Sequence, residues 1–299
     1  MRLRFPWYRS MYIVPELASL LRAEGLSPEM YSQALPAYIR INRRSDLAQA
    51  SLDELMQRYD THLEAFEWTC HLRSTPRRRF QHHADFQTGH LYVQDLASAM
   101  AVYALDPRDG ETIVDMCAAP GGKTMLISDK APNSHIIAIE KHERRFGLLV
   151  DNLNKYGHDN VVPVHGDAMT SMHYQADRIL VDAMCPGDGN VAIIKRDGTD
   201  RYRTLHLFID EMLQNAYEVL ANAISMTRPG GVIVYSTCTF DRRFNEEMIE
   251  GVVGQFPVHT EPVVIPDIVL RTPLHEHMYR VIPTDNQTKG LFFARLRRE

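Results

Sequence analysis

From residue 93 onward, short apolar runs alternate with longer segments of helical periodicity, and no other feature limits the fold as strongly. The runs are rich in β-branched residues: ETIVDM, SHIIAIE, NVVPVHGD, DRILVDAM and GGVIVYSTC. Helical segments lie between them, and the longest, RTLHLFIDEMLQNAYEVLANAISM, predicts one continuous helix. Strands that alternate with helices form a parallel sheet with helices on both faces. FPVHTEPVV and LFFARL are predicted to be the last strands.

Residues 1–92 lack this alternation, and we predict that they form a small α+β domain. Residues 1–35 have helical spacing, residues 36–44 predict a short strand, and residues 51–59 predict a further helix. We therefore divide the chain into two domains, residues 1–92 and residues 93–299.

Charge is distributed unevenly along the chain. The net charge is -5 at pH 7, yet residues 1–90 hold 12 arginines against 10 acidic residues. A slightly basic front region is compatible with local binding of phosphate groups. The one basic run, Arg77, Arg78 and Arg79, is short enough to be a solvated loop. No stretch approaches the roughly 20 apolar residues that cross a bilayer, so we expect no membrane segment and a cytoplasmic location, or a nuclear or organellar one in a eukaryote.

The four cysteines are Cys70, Cys117, Cys185 and Cys238. None belongs to a CxxC pair, so the spacing predicts neither a zinc site nor a disulfide framework, and we expect no metal. Four cysteines in a chain of this length suit a reducing compartment. Each thiol is then judged by its surroundings, which favour structural roles for Cys70 and Cys117.

Acidic residues end four successive predicted strands of the sheet: Asp115, Glu140, Asp167 and Asp182. Ligands of open α/β sheets bind at the carboxyl ends of the strands, so these acids are predicted to surround one ligand. The first strand continues into DMCAAPGGKT at 115–124, where two glycines allow close approach of the backbone. A phosphate-binding P-loop is disfavoured because Cys117 takes the position of a required glycine. S-adenosylmethionine, which has hydroxyls and an amino acid group but no phosphate, suits four carboxylates better.

Two thiols are predicted to lie on the same edge of the sheet. Cys185 follows the fourth strand in VDAMCPGDG, and Cys238 follows the fifth in VIVYSTCTF. Neighbouring thiols beside the carboxylate of Asp182 are more typical of a reactive site than of a buried core. A thiolate that adds to carbon 6 of a cytosine makes carbon 5 nucleophilic, so that carbon 5 can accept a methyl group. Asp182 could then hold N3 and N4 of the base.

Five segments, VQDLAS, DMCAAPGGKT, DAMCPGDG, YSTC and GLFFARL, together resemble the Nop/Sun family of RNA cytosine-C5 methyltransferases. The resemblance runs from about residue 40 to the C-terminus, and DMCAAPGGKT with a later YSTC is a highly specific combination. It implies an α/β fold, a Rossmann-like class I sheet that binds S-adenosylmethionine, with a small RRM-like α+β domain before it. It also implies a transfer RNA or ribosomal RNA substrate, with further RNA binding from residues 1–92 or from a protein partner.

The resemblance also implies roles for individual residues. Cys238 is the implied nucleophile and Cys185 the thiol that assists release, with Asp182 and Lys123 as the other catalytic residues. The residues implied around the cofactor are Cys117, Ala118, Ala119, Pro120, Gly121, Gly122, Lys123, Glu140, Arg145, Asp167 and Asp182.

Two other functions stay open, and departures from the family pattern motivate the first of them. Met184 and Pro186 flank Cys185 where the family has Pro and then Ser or Thr, while Phe244 replaces an acid and Thr284 a histidine. The altered loop around Cys185 motivates a second hypothesis, a non-catalytic RNA-binding protein that has kept the fold. A third hypothesis is a small-molecule methyltransferase, although that enzyme needs neither two thiols nor a basic front region.

Overall fold

A computed structural model describes most of the chain. The described residues are 2–5, 8–32, 35–45, 54, 57, 61–66, 69–74, 84–170, 174–190, 200–263 and 276–299. The strands in these ranges are β1 (Arg2–Phe5), β2 (Tyr8–Tyr12), β3 (Ala37–Ile41), β4 (Thr61–Phe66), β5 (Thr69–Ser74), β6 (Leu91–Val93), β7 (Thr112–Asp115), β8 (His135–Glu140), β9 (Val161–His165), β10 (Ala176–Asp182), β11 (Thr227–Thr237), β12 (Val258–Glu261), β13 (Met278–Val281) and β14 (Leu291–Arg298). The helices are α1 (Pro15–Ala23), α2 (Ala84–Gln87), α3 (Leu96–Leu105), α4 (Gly122–Lys130), α5 (Glu143–Tyr156), α6 (Asp200–His206), α7 (Ile209–Met226), α8 (Glu246–Val253) and α9 (Pro283–Asn286).

The large sheet has the strand order β12-β14-β11-β10-β7-β8-β9, and β13 also pairs with β14. Strands β11, β10, β7, β8 and β9 are parallel to their neighbours within this group. Strand β14 is antiparallel to β11, and β12 and β13 are antiparallel to β14. The predicted strand–helix alternation is therefore confirmed for the five parallel strands, and the chain adds an antiparallel edge to them.

The parallel strands are buried on both faces, which explains their continuous apolar sequences. Leu180 and Val234 pack with residues of α3, α4 and α5 on one face. Their neighbours in sequence, Ile179 and Ile233, pack with residues of α7 and α8 on the other. Successive side chains of a strand point to opposite faces, so the sheet becomes the middle layer of three.

The N-terminal region contains a second sheet, with the strand order β4-β5-β3-β6 and antiparallel pairing throughout. Strand β3 confirms the prediction for residues 36–44. The prediction that residues 1–35 are helical is wrong for the first twelve residues, where β1 and β2 form an antiparallel pair before α1. Aromatic residues such as Tyr8 and Tyr12 favour extended backbone. The helix predicted at 51–59 lies outside the described residues, apart from Glu54 and Gln57.

Two further differences concern the second half of the chain. The segment predicted as one long helix forms α6 and α7, separated at Leu207 and Phe208, and Phe208 has φ -112° and ψ 18°. The sequence contains no glycine or proline at this break, and the helical periodicity continues across it. The break therefore leaves no signal in the sequence. Strand β13 was not predicted; it is a short edge strand, and among the described strands its partner is β14.

Candidate active site

The loop between β7 and α4 forms one wall of the site. Gly121 has φ 105°, a left-handed conformation that favours glycine, and α4 begins at the next residue. A Cβ at Gly122 would lie 3.0 Å from the hydroxyl oxygen of Tyr92, so glycine lets these two segments approach closely. Arg145 donates a hydrogen bond to the carbonyl of Ala119 at 2.7 Å. The loop is therefore fixed from both sides.

Two of the strand-end acids, Asp115 and Glu140, are held in place by hydrogen bonds within the protein. Asp115 is buried and accepts a hydrogen bond from Thr124 Oγ1 at 2.7 Å, and burial raises the pKa of Asp115 to about 6. Glu140 is also buried, and its Oε1 accepts a hydrogen bond from the backbone N–H of His142 at 2.9 Å. The other oxygen, Oε2, lies 3.4 Å from Arg145.

Asp167 lies at the end of the same sheet edge, after β9. Its carboxylate is 2.7 Å from Lys141 Nζ and accepts a hydrogen bond from the backbone N–H of Met169 at 3.0 Å. Partial burial opposes ionisation, but these hydrogen bonds hold the pKa of Asp167 below its ordinary value. An ionised carboxylate here is suited to accept hydrogen bonds from an amino group.

Asp182 and Lys123 form an ion pair in the middle of the edge. Lys123 Nζ lies 2.6 Å from Asp182 Oδ2, and Ser236 Oγ donates to Asp182 Oδ1 at 2.8 Å. Burial acts to lower the pKa of Lys123, but the Asp182 carboxylate outweighs it, so the pKa is raised. Lys123 is therefore charged at neutral pH, and the Asp182 carboxylate is oriented by two donors.

The two predicted reactive thiols meet at the ends of β10 and β11, whose register pairs Asp182 with Ser236. The sulfur atoms of Cys185 and Cys238 lie 3.2 Å apart, and both thiols are free. When Cys238 is ionised, a hydrogen bond from the Cys185 thiol stabilises the thiolate, which lowers the pKa of Cys238 and raises the pKa of Cys185, and burial raises that of Cys185 further. Burial and the carboxylates of Asp182 and Asp188 act in the opposite direction on Cys238, and the positive charge of Lys123 gives a smaller lowering of its pKa. Cys238 is therefore the more easily ionised thiol of the pair.

Cys117, the third thiol near this edge, is in a different environment. It packs against the core beside β7, and burial raises its pKa far above the ordinary range. Its backbone N–H faces a carboxylate oxygen of Asp115 at 3.4 Å. A neutral thiol in this loop agrees with the structural role expected for it.

Asp188, which we did not predict as a site residue, connects the loop that carries Cys185 to the loop that carries Cys238. Its buried carboxylate accepts hydrogen bonds from Thr239 Oγ1 at 2.5 Å and from the backbone N–H of Phe240 at 2.9 Å. The next residue, Gly189, donates its N–H to the carbonyl of Cys238 at 2.8 Å. Burial raises the pKa of Asp188 to about 6. Its sequence context, a lone acid between glycines, is more typical of a solvated turn.

Asn245 holds the backbone on either side of Cys238. Its carboxamide oxygen accepts a hydrogen bond from Thr237 Oγ1 at 2.6 Å, and its nitrogen donates to the carbonyl of Thr239 at 3.0 Å. The following residue, Glu246, is fully buried and forms two hydrogen bonds of 2.6 Å with Arg280. The strand end that carries the thiol is therefore rigidly supported.

A cavity of about 330 Å³ opens beside the ion pair. Its lining residues are Tyr92, Val93, Gln94, Asp95, Ser98, Asp115, Cys117, Ala118, Ala119, Pro120, Gly122, Lys123, Asp182, Asn190 and Lys289. The carboxamide oxygen of Gln94 is buried and has no hydrogen-bond partner in the described part of the chain. The cavity lining also contains the closely packed Gly122 and three carboxylates, those of Asp95, Asp115 and Asp182. This lining fits a ligand that carries hydrogen-bond donors and positive charge, as S-adenosylmethionine does.

The structure thus separates the predicted cofactor residues into two groups, and Cys185 and Cys238 lie outside the residues that line the cavity. Most of the loop at 117–123 lines the cavity together with Asp182. Glu140, Arg145 and Asp167 lie at the ends of the next two strands or just after them, outside the residues that line the cavity. Arg145 contacts the loop and Glu140 directly.

Within the described residues, no cluster of three or more His, Cys, Asp or Glu side chains could hold a metal ion. No helix in this part of the chain is long and apolar enough to cross a membrane. The basic run at 77–79 lies outside the described residues, and its role stays a prediction.

Comparison with known proteins identifies the family. A family model described as "16S rRNA methyltransferase RsmB/F" matches residues 102–297. The chain belongs to this family. Membership of the RsmB/F family confirms the Nop/Sun resemblance, the Rossmann-like α/β fold of the catalytic part and S-adenosylmethionine as the cofactor, whereas the RRM-like character of residues 1–92 stays a prediction.

Two bacterial members of the RsmB/F family illustrate the relationship. Ribosomal RNA small subunit methyltransferase B of Pectobacterium atrosepticum is 30% identical over 274 residues, which cover 90% of this chain and 61% of that protein. The protein of the same name from Yersinia pestis is 31% identical over 250 residues, which cover 80% and 57%. The chain therefore spans about three fifths of the length of these relatives.

Solved structures support the same fold. A methyltransferase homologue from Pyrococcus horikoshii is 25% identical with a TM-score of 0.71, covering 96% of this chain and 100% of that one. NSun6 from Pyrococcus horikoshii, crystallised with SFG, is 20% identical with a TM-score of 0.75, covering 95% and 94%. At this level of identity the second comparison concerns the fold alone.

Proposed function

We propose that this chain is an RNA (cytosine-5)-methyltransferase that acts on ribosomal RNA, with Cys238 as the nucleophile and Cys185 assisting release. The observation that carries the proposal is the 3.2 Å approach of the two sulfur atoms beside the Asp182–Lys123 ion pair. Family membership and the names of the bacterial relatives support ribosomal RNA as the substrate.

The cofactor would be held along the carboxyl edge of the sheet. Glu140 would accept hydrogen bonds from the ribose hydroxyls, and Asp167 from the adenine amino group. The backbone of the loop at 117–123 would contact the rest of the molecule, supported by Arg145. When bound, S-adenosylmethionine supplies an electrophilic methyl group.

Cys238 would start the reaction on the base. Its thiolate forms a bond to carbon 6 of cytosine. The electron pair of the carbon 5–carbon 6 double bond shifts to the carbon 4–carbon 5 bond, and that of the carbon 4–N3 double bond shifts to N3, which takes a proton from water; carbon 5 is then enamine-like and nucleophilic. Asp182 holds the N3 and N4 edge, and Lys123 keeps that carboxylate oriented at 2.6 Å. The base must leave any helical stack to reach this position.

Cys185 would act after carbon 5 carries the methyl group. Loss of the proton from carbon 5 returns an electron pair to the ring, which breaks the bond between carbon 6 and the Cys238 sulfur and releases a thiolate. In this proposal water takes the carbon 5 and N3 protons, and the Cys185 thiol donates a hydrogen bond to the departing Cys238 thiolate. The two sulfur atoms lie 3.2 Å apart, which is close enough for that hydrogen bond.

Two single variants and their double variant test the proposal. We expect Cys238→Ala to abolish methylation of 16S ribosomal RNA, measured by bisulfite sequencing, while S-adenosylhomocysteine still binds. We expect Cys185→Ala to accumulate a covalent protein–RNA adduct on a denaturing gel, because the addition step survives and the release step does not.

The double variant Cys185→Ala/Cys238→Ala is the matched control and should form no adduct. Methylation by Cys238→Ala would show that the covalent mechanism is wrong. Cofactor binding without methylation by the wild-type protein on any RNA tested would favour the non-catalytic RNA-binding hypothesis instead.

A further inference from the structure

We propose that Lys289 and Asp95 form a subsite for the amino acid end of the cofactor, in which Lys289 binds the carboxylate; this inference rests on the proposed function. Both residues line the 330 Å³ cavity. Lys289 Nζ and Asp95 Oδ2 lie 3.8 Å apart. An ammonium and a carboxylate at this spacing complement a zwitterion, which carries the same two charges on one carbon atom.

Within the described residues, the hydrogen bonds that hold Asp95 all reach one of its two carboxylate oxygens. Oδ1 accepts hydrogen bonds from the Ala97 backbone N–H at 3.1 Å and from Thr288 Oγ1 at 2.7 Å. The backbone N–H of Lys289 also points to Oδ1, at 3.3 Å. Oδ2 is therefore the oxygen that can accept a hydrogen bond from a ligand's ammonium group. Oδ1 meanwhile holds residues 288–289 against the start of α3.

Lys289 is held loosely in comparison. A direct hydrogen bond between an ammonium and a carboxylate is typically about 2.7–2.9 Å long, so the 3.8 Å pair has room to tighten or to open. One third of the Lys289 side chain, 33%, is exposed. Its ammonium can therefore move a short distance to an anion in the cavity without losing a close contact.

The other lysine of the cavity is already engaged. Lys123 Nζ lies 2.6 Å from Asp182 Oδ2, and only 14% of the Lys123 side chain is exposed. Moving it to a new anion would leave Asp182 without its cation. Of the two lysines that line the cavity, Lys289 is therefore the one that can bind a carboxylate.

The charge of the cavity favours the cofactor over an RNA phosphate. The lining carries three carboxylates, Asp95, Asp115 and Asp182, and two ammonium groups, Lys123 and Lys289, a formal balance of -1. A polyanionic RNA backbone is repelled by such a wall. S-adenosylmethionine has a sulfonium, an ammonium and a carboxylate group, and its net positive charge complements the wall.

Binding measurements with two nucleosides test the assignment without any catalysis. S-adenosylhomocysteine carries the amino acid end, whereas 5′-methylthioadenosine shares the adenosine and thioether and lacks it. For Lys289→Met we expect titration calorimetry to show about tenfold weaker binding of S-adenosylhomocysteine, equivalent to about 1.4 kcal/mol, and unchanged binding of 5′-methylthioadenosine. Lys289→Arg, which keeps the charge, should recover most of the loss.

Other outcomes would overturn the assignment. Equal affinity of the wild type and Lys289→Met for S-adenosylhomocysteine would do so, and so would an equal loss for both nucleosides. If Lys289→Met kept its affinity for S-adenosylhomocysteine but lowered the salt dependence of RNA binding by about one counterion, the ligand would be a phosphate. Failure of the wild-type protein to bind either nucleoside would instead refute the proposed function.

Discussion

Replacing Cys185 with alanine tests whether the neighbouring sulfur activates Cys238. The Cys185 thiol lies 3.2 Å from the Cys238 sulfur, and the hydrogen bond it donates lowers the pKa of Cys238. Hydrogen bonds to charged groups typically contribute about 1.5–3 kcal/mol. Losing the lower value leaves about tenfold less Cys238 thiolate at any pH below its pKa. The titration midpoint of Cys238 should therefore move to higher pH in the variant.

Alkylation by iodoacetamide, followed residue by residue with mass spectrometry of peptides, measures this effect. The thiolate is the reactive form, so the rate at Cys238 rises with pH through its pKa. We expect the Cys185→Ala curve to lie at higher pH than the wild-type curve. The matched control is Cys185→Ser, which keeps a hydroxyl donor in the same place and should stay near the wild type. Comparing midpoints separates activation from any easier access created by the smaller side chain.

An unchanged midpoint in Cys185→Ala would refute this reasoning. In that case the hydrogen bond from Cys185 would not be what lowers the pKa of Cys238. A shift of the same size in Cys185→Ser and Cys185→Ala would count against a donated hydrogen bond as the cause.

Two further predictions concern buried charges that support the site. Arg280→Met leaves the fully buried Glu246 without its cation, so we expect a loss of about 3–5 kcal/mol in urea unfolding; a loss below about 1 kcal/mol would contradict this. Burial raises the pKa of Asp188 to about 6, so the folded state holds this proton more tightly than the unfolded chain. The stabilisation from this proton is fully present below about pH 4. It is lost as the pH rises through 6, which lowers the free energy of unfolding by about 3 kcal/mol. Asp188→Asn should remove that slope in thermal unfolding between pH 4 and 6.5, and equal slopes would contradict the assignment.

The positions of the strand-end residues follow from the sequence because parallel strands place their carboxyl ends on one edge. The runs that end in Asp115, Glu140 and Asp182 are strands in the structure, and the loop at 117–123 joins a strand to a helix as expected. The break between α6 and α7 could not be predicted in the same way, since the residues on both sides keep one helical periodicity.

The contacts between residues distant in sequence were decided by the tertiary structure. Periodicity placed Cys185 and Cys238 on neighbouring strand ends, but only the register of β10 and β11 brings their sulfur atoms to 3.2 Å. Lys289 and Asp95 are separated by 194 residues, and no local pattern predicts that they line one cavity. Local sequence determines which backbone conformation a segment favours and which face of a helix or strand is buried. The charged partners of a side chain depend instead on how the layers pack against one another. The sequence by itself therefore determined the order of elements and the chemistry available at the sheet edge, and the packing of those elements decided which groups act together.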